Sequence, residues 1–320
     1  MSLGHDRCEQ RDNTTRIGLD KMNSQASEDE GASMPADYMN KSECEQIFSV
    51  LDATWPRIVP GIRTCAKLGW DWKQVTTPFV GRKDGEIVAH VGVLRSEMFM
   101  QGARLPIAGI HAVSCKPEYR GNGLMREAME QALSYVDEIG QIALLTCSQP
   151  DIYTRFGFTA YPEHRGIYVR SSEGPVDQPL CPFLESGLPL SALQLELSAR
   201  VPTSTRWSMV DSGAVFGICE YFEAGGLRRI HCDKEGKLFV VYEVHDGTLE
   251  LIDVVTRELP ELAQILRMIP ERFSRVRCHF TVDTWEEPDE WEPLPSDDVL
   301  MLRGEGIVPA EICLPETARW

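Results

Sequence analysis

The amino-acid sequence predicts a mixed α/β fold of the α+β kind, divided into two successive domains. Three observations predict it. Residues 105–139 read in succession as an apolar strand, a glycine-bearing turn and an amphipathic helix. Asp84-Gly85, Gln101-Gly102 and Asp246-Gly247 punctuate strand-like runs as hairpin turns do. A polar joint at residues 171–179 precedes further strands and a helix, which need a core of their own.

In chain order, residues 1–36 carry Ser, Asn, Asp, Glu and Gly without apolar periodicity and read as a disordered acidic tail. Residues 37–172 form the first domain. A helix is expected at 44–51, then turns rich in Trp and Pro through Trp72, then strands at 79–82, 86–100 and 105–115. In the following helix, 124–139, Leu124, Ala128, Ala132, Leu133 and Val136 share one face. A short buried strand is expected at 142–146, a short helix at 151–156 and a closing strand within 158–170. Residues 173–320 form the second domain, with strands at 238–245, 249–256 and 276–282 and a helix at 259–268.

Composition narrows the function. The 320 residues can support two ordinary cores, and 42% apolar with 25% charged residues is a globular balance. No apolar run approaches the roughly 20 residues that span a bilayer. Residues 1–37 lack the apolar segment of a signal peptide, so a cytoplasmic protein without a membrane partner is expected. Ten cysteines stand singly, with no Cys-x-x-Cys and no Cys/His cluster, which reads as free thiols in a reducing compartment and no metal site. A net charge of −17 opposes a phosphate-backbone partner, so no nucleic acid is expected. It suits a cationic substrate, although solubility accounts for the same charge.

The chemistry is carried by two motifs. Val113-Ser114-Cys115 closes a strand, and Arg120-Gly121-Asn122-Gly123 opens the helix that starts at Leu124. Glycines let backbone N–H groups converge without Cβ interference, and the positive end of the helix dipole points at the same place. That is a site for a pyrophosphate, with Arg120 adding charge, although a plain strand-to-helix turn uses glycines too. Some thirty residues later stands Asp151-Ile152-Tyr153-Thr154-Arg155-Phe156-Gly157-Phe158.

In order and spacing these motifs resemble those of the GNAT superfamily of N-acetyltransferases, over about residues 41–170. The family's loop reads Arg/Gln-x-x-Gly-x-Gly/Ala; here Glu118 holds its leading position and Arg120 precedes the first glycine. The resemblance implies a GNAT fold, a mixed and largely antiparallel sheet flanked by helices, with acetyl-CoA or another acyl-CoA as cosubstrate and no metal. It implies that Val113, Ser114 and Cys115 meet the pantetheine arm, and that Arg120, Gly121, Asn122, Gly123, Leu124, Met125 and Arg126 hold the pyrophosphate. Ser148 and Gln149 fall where splayed strands admit the cofactor, and Tyr153 matches the tyrosine that faces the thioester sulfur. A phenol, of ordinary pKa about 10, suits protonation of a departing thiolate. The alternative for Tyr153 is an aromatic packed beside Phe156 and Phe158.

The strand, strand, helix, strand order at 238–282 mirrors the middle of the first domain, yet no glycine loop follows Asp253. A degenerate GNAT-like domain lacking the pyrophosphate loop is expected. An active GNAT domain followed by a degenerate one resembles the Eis (enhanced intracellular survival) type of acetyltransferase, which implies an amine entering between domains. That type adds a sterol-carrier-like domain; with about 35 residues after Trp285 it is absent or truncated here. It also implies a C-terminal carboxylate as general base, here that of Trp320.

The expected activity is direct acyl transfer, in a ternary complex, to a small-molecule amine or lysine-like acceptor of cationic character. His111, the Trp320 carboxylate and water are the candidate bases. Cys115 and Cys147 offer a covalent route but have no basic neighbour in sequence to activate them. A non-catalytic CoA-binding scaffold is the alternative function, and a homo-oligomer stays open. Asp283, Glu286, Glu287, Asp289, Glu290, Glu292, Asp297 and Asp298 form an acidic stretch that would draw a cationic amine if it bordered the cleft.

Overall fold

Asn40 starts the first helix, α1 (Lys41–Thr54): its side-chain oxygen accepts from the N–H groups of Ser42 (3.0 Å) and Glu43 (3.3 Å). This computed structural model describes residues 36–172, 178–211, 213–223, 225–295, 297–304, 308 and 310–319. The expected acidic tail (residues 1–35), residues 173–177 of the interdomain joint, and Trp320 lie outside the described residues. Where the sequence suggests Trp–Pro turns, the chain forms α2 (Ile58–Lys67) and α3 (Trp72–Val75) instead. Pro60 stands in the first turn of α2, where its missing N–H removes no helical hydrogen bond.

Next, β1 (Thr76–Lys83), β2 (Glu86–Met100) and β3 (Ala103–Cys115) form an antiparallel meander. Its two turns hold Asp84 with Gly85, and Gln101 with Gly102, at positive φ, the turn that follows the twist of paired strands. Then come α4 (Leu124–Glu138), β4 (Ile142–Cys147), α5 (Asp151–Thr154), β5 (Thr159–Tyr161) and β6 (His164–Tyr168). The single closing strand expected at 158–170 is thus two strands, and they enter different sheets. The chain continues through β7 (Cys181–Pro182), α6 (Leu190–Ser198), β8 (Trp207–Asp211), α7 (Gly213–Glu223) and β9 (Ile230–Cys232). It ends through β10 (Leu238–His245), β11 (Thr248–Thr256), α8 (Leu262–Met268), β12 (Arg275–Cys278), β13 (Glu290–Pro293) and β14 (Val299–Arg303). The last helix starts later than expected because Pro260 and Glu261 precede its first turn.

The strands make two mixed sheets. One runs β1-β2-β3-β4-β14-β5 with β8 on the far half of β2; the other runs β13-β6-β12-β11-β10-β9-β7. The sheets do not part the chain at residue 172: β6 belongs to the second, whereas β8 and β14 return to the first. On the first sheet α4 buries Ala128, Met129, Ala132, Leu133 and Val136 against Val91, Val93 and Ile110, the expected face without half-buried Leu124. The opposite face is covered by α1. The second sheet repeats the sandwich, with α8 on one side and α6 and α7 on the other. Both sheets contain a hairpin, a helix and a parallel strand: β2-β3-α4-β4 and β10-β11-α8-β12. Each hairpin shifts register, between His90 and Gly92 near the end of β3 and between Val241 and Tyr242 in the middle of β11. Among the described residues no helix is long and apolar enough to cross a membrane.

Candidate active site

A short turn, Pro117–Tyr119, leads from β3 to Gly121 (φ 79°) and Gly123 (φ 81°). These left-handed conformations cost glycine nothing. A Cβ at either would meet nothing within 4 Å, so backbone conformation, not crowding, calls for glycine there. Gly123 is the N-cap of α4 and no side chain caps the helix; Leu124, Met125 and Arg126 make its first turn. The N–H groups of residues 121–126 find no acceptor among the described residues. Together with the dipole of the helix they form an anion site. Asn122 Nδ2 donates to Tyr119 O (3.0 Å) and Arg120 Nε to Cys115 O (3.2 Å), which holds the loop in shape. Gly81 of β1 sets the start of α4 on the sheet: a Cβ there would stand 2.5 Å from Leu124 O.

Beside the loop the sheet splits. β3 and β4 pair only at Ile107–Ile142, Ala108–Ala143 and Gly109–Leu144. Beyond Gly109 the edge of β3 facing β4 is open. Lys116 N–H donates across to Val88 O of β2 (2.9 Å), so strand alternation turns the backbones of Val113 and Cys115 toward the open side. The same alternation turns the backbone of Ser114 toward β2, and its side chain is buried. Of the three residues expected to meet a pantetheine arm, Val113 and Cys115 are therefore presented and Ser114 is not. Ala112, at φ 50°, lies where the register slips, a bulge that bends the strand at the mouth of the split.

A cavity of about 810 Å³ occupies the split. Its strand-side walls are residues 110–113, residues 145–149 and Tyr153, so Ser148 and Gln149 line it. Tyr153 is 9% exposed, packs edge-on to Phe158 (6.2 Å, 78°) and has no hydroxyl partner among the described residues. Burial, then Cys147, pushes its phenol up to about 12. His111 also lines the cavity, with Nε2 3.1 Å from Thr76 Oγ1 and its ring against Trp72 (5.1 Å). Gly92 leaves room for it; a Cβ there would stand 2.5 Å from Nε2. Behind it His90 Nδ1 donates to Ala112 O (2.9 Å), which leaves Nε2 to accept from the Tyr38 hydroxyl (2.8 Å). Burial holds His90 down to about 4, and burial with His90 nearby holds His111 down to about 3. Both rings are neutral at pH 7. Burial raises the Cys115 and Cys147 thiols, the opposite of what a nucleophilic cysteine needs.

Most of the acidic stretch is paired within the protein. Glu286 (3.2 Å) and Asp289 (2.8 Å) pair with Arg170, Glu290 with Arg275 (3.0 Å), and Glu292 with Arg165 and Arg277. Asp283 accepts from the Thr205 hydroxyl (2.8 Å). Of the stretch, Asp298 lines the cavity. The carboxylates look unbalanced in sequence because their arginine partners arrive from β6, β12 and their flanks. Trp320 lies outside the described residues; Arg319 before it lines the cavity and donates to Glu163 Oε1 (2.7 Å) and Leu314 O (2.9 Å). Sequence reading misses Trp55, Arg57 and Phe222, which line the far side. Their only signal, apolar rings left 39 and 40% exposed and an arginine at φ 78°, is three-dimensional.

In the second sheet the equivalent split is filled. β11 pairs with β12 from Thr248 to Leu251, and beyond that its groups are taken by the chain itself. Val201 N–H donates to Thr256 O (2.9 Å) and Arg200 Nη2 to Val254 O (3.0 Å). Arg200 also grips Asp253 through Nη1 (3.1 Å) and Nη2 (2.5 Å), and the Thr317 hydroxyl donates to Asp253 Oδ2 (2.6 Å). At α8, Glu261 and Gln264 cap each other's backbone, and no residue of 257–261 is left-handed.

Residues 36–161 match the acetyltransferase (GNAT) domain family. The uncharacterized N-acetyltransferase YhbS of Escherichia coli strain K12 is 31% identical over 81 residues, 25% of this chain and 47% of that protein. The chain thus spans about half the length of the curated relatives it matches. Eis1 of Mycobacterium abscessus has the same fold, with TM-score 0.55 over 82% of this chain and 72% of its own, at 15% identity. A probable N-acyltransferase of Enterococcus faecalis V583 is equally similar, at 0.55 over 84% and 71%, with 14% identity.

Proposed function

We propose that this chain, which carries a GNAT acetyltransferase domain in a fold resembling the Eis type, moves an acyl group from acyl-CoA to an amine. The observation that carries the reading is a succession along one strand end: the uncapped glycine loop, the outward-facing backbone of Val113 and the N–H of Cys115, and the cavity holding Tyr153. A pyrophosphate suits the loop from Arg120 to Arg126. The amides of a pantetheine arm suit the open edge of β3, as an added strand, with Ser148 and Gln149 across the split. The thioester then reaches Tyr153.

In the reaction the amine nitrogen attacks the thioester carbon, and the C–S bond breaks with its electron pair going to sulfur. Tyr153 donates its hydroxyl proton to that sulfur and regains one from solvent. A phenol with its pKa near 12 keeps that proton throughout the neutral range. Neither His111 nor His90 is basic enough to take the amine proton at pH 7. The amine therefore gives it to solvent or to a group other than these two histidines.

The test is titration calorimetry with CoA on the parent protein and on Gly123→Asp, with circular dichroism as the check on folding. A carboxylate on a left-handed residue at the anion site should weaken binding by about a hundredfold or more. Unchanged affinity in a folded variant overturns the reading. Thiol release from acetyl-CoA with a panel of amines tests turnover.

A further inference from the structure

The cavity has walls that β3, β4 and Tyr153 do not supply. They include Trp55, Ile58 and Ile62 from the end of α1 and from α2, and Val215, Ile218 and Phe222 from α7, all apolar. Trp55 and Phe222 present 39 and 40% of their surface to water, area that a ligand of matching character would cover. Phe222 is seated by a glycine: a Cβ at Gly61 of α2 would stand 2.3 Å from the far end of its ring. Among the described residues the charged lining offers no row of carboxylates. Arg57 is a cation, Arg319 is committed to Glu163, and Asp298 stands at the β4 end, close enough to Cys147 to raise its pKa, and already interacts within the chain.

We propose that these walls form the acceptor subsite, that it takes a primary amine on an aromatic or aliphatic body of arylalkylamine size, and that Trp55 and Phe222 set this preference. The proposal rests on the acyltransferase reading above. A polyamine entering here would set several ammonium groups against apolar walls that, among the described residues, offer one carboxylate, Asp298, to replace their water. An arylalkylamine surrenders the hydration of one amine and gains the burial of a ring. The volume is ordinary for a small-molecule site.

The experiment measures acetyl-CoA turnover with methylamine, 2-phenylethylamine, tryptamine and spermidine, and CoA affinity by calorimetry in parallel. The parent should favour the two arylalkylamines over spermidine by about tenfold or more in kcat/KM. Alanine is tolerated in a helix interior, so Gly61→Ala keeps α2 and drives the Phe222 ring into the subsite. It should cut kcat/KM for tryptamine about tenfold, one ring contact's worth, and leave methylamine and CoA affinity unchanged. Phe222→Ala should raise KM for 2-phenylethylamine by a similar factor. Preference for spermidine, or variants that slow methylamine and tryptamine alike at unchanged CoA affinity, overturns the subsite and leaves the acyltransferase reading standing. A parent protein that does not bind CoA overturns both.

Discussion

At the end of β3 the chain turns through two left-handed glycines and leaves the N–H groups at the start of α4 without acceptors among the described residues. At the end of β11 it turns through Pro260 and Glu261, and Glu261 with Gln264 satisfies the start of α8. The splits beside these junctions differ in the same way. Along β3 the backbone of Val113 faces open space, whereas along β11 the side chain of Arg200, the N–H of Val201 and the hydroxyl of Thr317 close on the equivalent stretch. Strand order, bulge and parallel pairing are common to both. A binding site is thus made by the polar groups that folding leaves unpaired; where the chain pairs them itself, the same topology is only scaffold.

The largest effect should come from emptying the filled split. Asp253→Ala leaves the Arg200 guanidinium, 8% exposed, buried without its partner. Removing one member of such a pair costs about 3–5 kcal/mol, to be read in urea unfolding. A loss below about 1 kcal/mol would mean that the split is not held by this pair. Replacing both, Arg200→Met with Asp253→Leu, should recover most of the loss, because the desolvation of two charges disappears with them.

In the open split the effect should fall on rate instead. Tyr153→Phe keeps the ring against Phe158, so CoA affinity and melting temperature should hold. Turnover should drop by about 10²-fold, the lower end for positioned acid catalysis, because water in the cavity can partly replace the hydroxyl. Parent-like turnover with chemistry rate-limiting would make Tyr153 structural.

Acid separates the halves more gently. His90, fully buried behind the open split, has its pKa held down to about 4, against about 6.5 in an unfolded chain. The unfolded chain then binds the extra proton. The stability is whole above pH 6.5, falls as pH drops toward 4, and the loss should reach about 2 kcal/mol by pH 5. His111, held down to about 3 beside it, adds to the same limb. His90→Gln should therefore remove only part of it and the double His90→Gln/His111→Gln variant most of it; an unaltered limb in the double variant would place the titration elsewhere.

The open split was the legible part of the sequence. Gly121, Gly123 and Tyr153 speak through local chemistry: left-handed turns, a helix start, an aromatic in a tight turn. Val113 and Cys115 follow from alternation, which also sets Ser114 apart from them, since every second backbone faces β2. The far walls were illegible. Pro60 hid α2 by reading as a turn, and α7 carries no marker that tells a cavity wall from a core helix. Long-range pairing was illegible too: the acidic residues after Asp283 meet arginines more than a hundred residues upstream, such as Arg165 and Arg170. The filled split shows the same limit, because Arg200 and Thr317 reach Asp253 from either side in sequence.

The placement of β14 governs when the site can exist during synthesis. Val299 to Arg303 supply the far edge of β4 and the only ladder of β5 among the described residues. A ribosome that has released the glycine loop, Tyr153 and all of β4 has still made a sheet whose β4 holds β3 by three residue pairs. Until β14 arrives, Leu145 to Cys147 have no partner strand on either side, an edge that invites pairing with other nascent chains. The cavity wall is therefore set late in translation, and a chain cut at the polar joint after Arg170 would carry the glycine loop and Tyr153 on a sheet missing an inner strand.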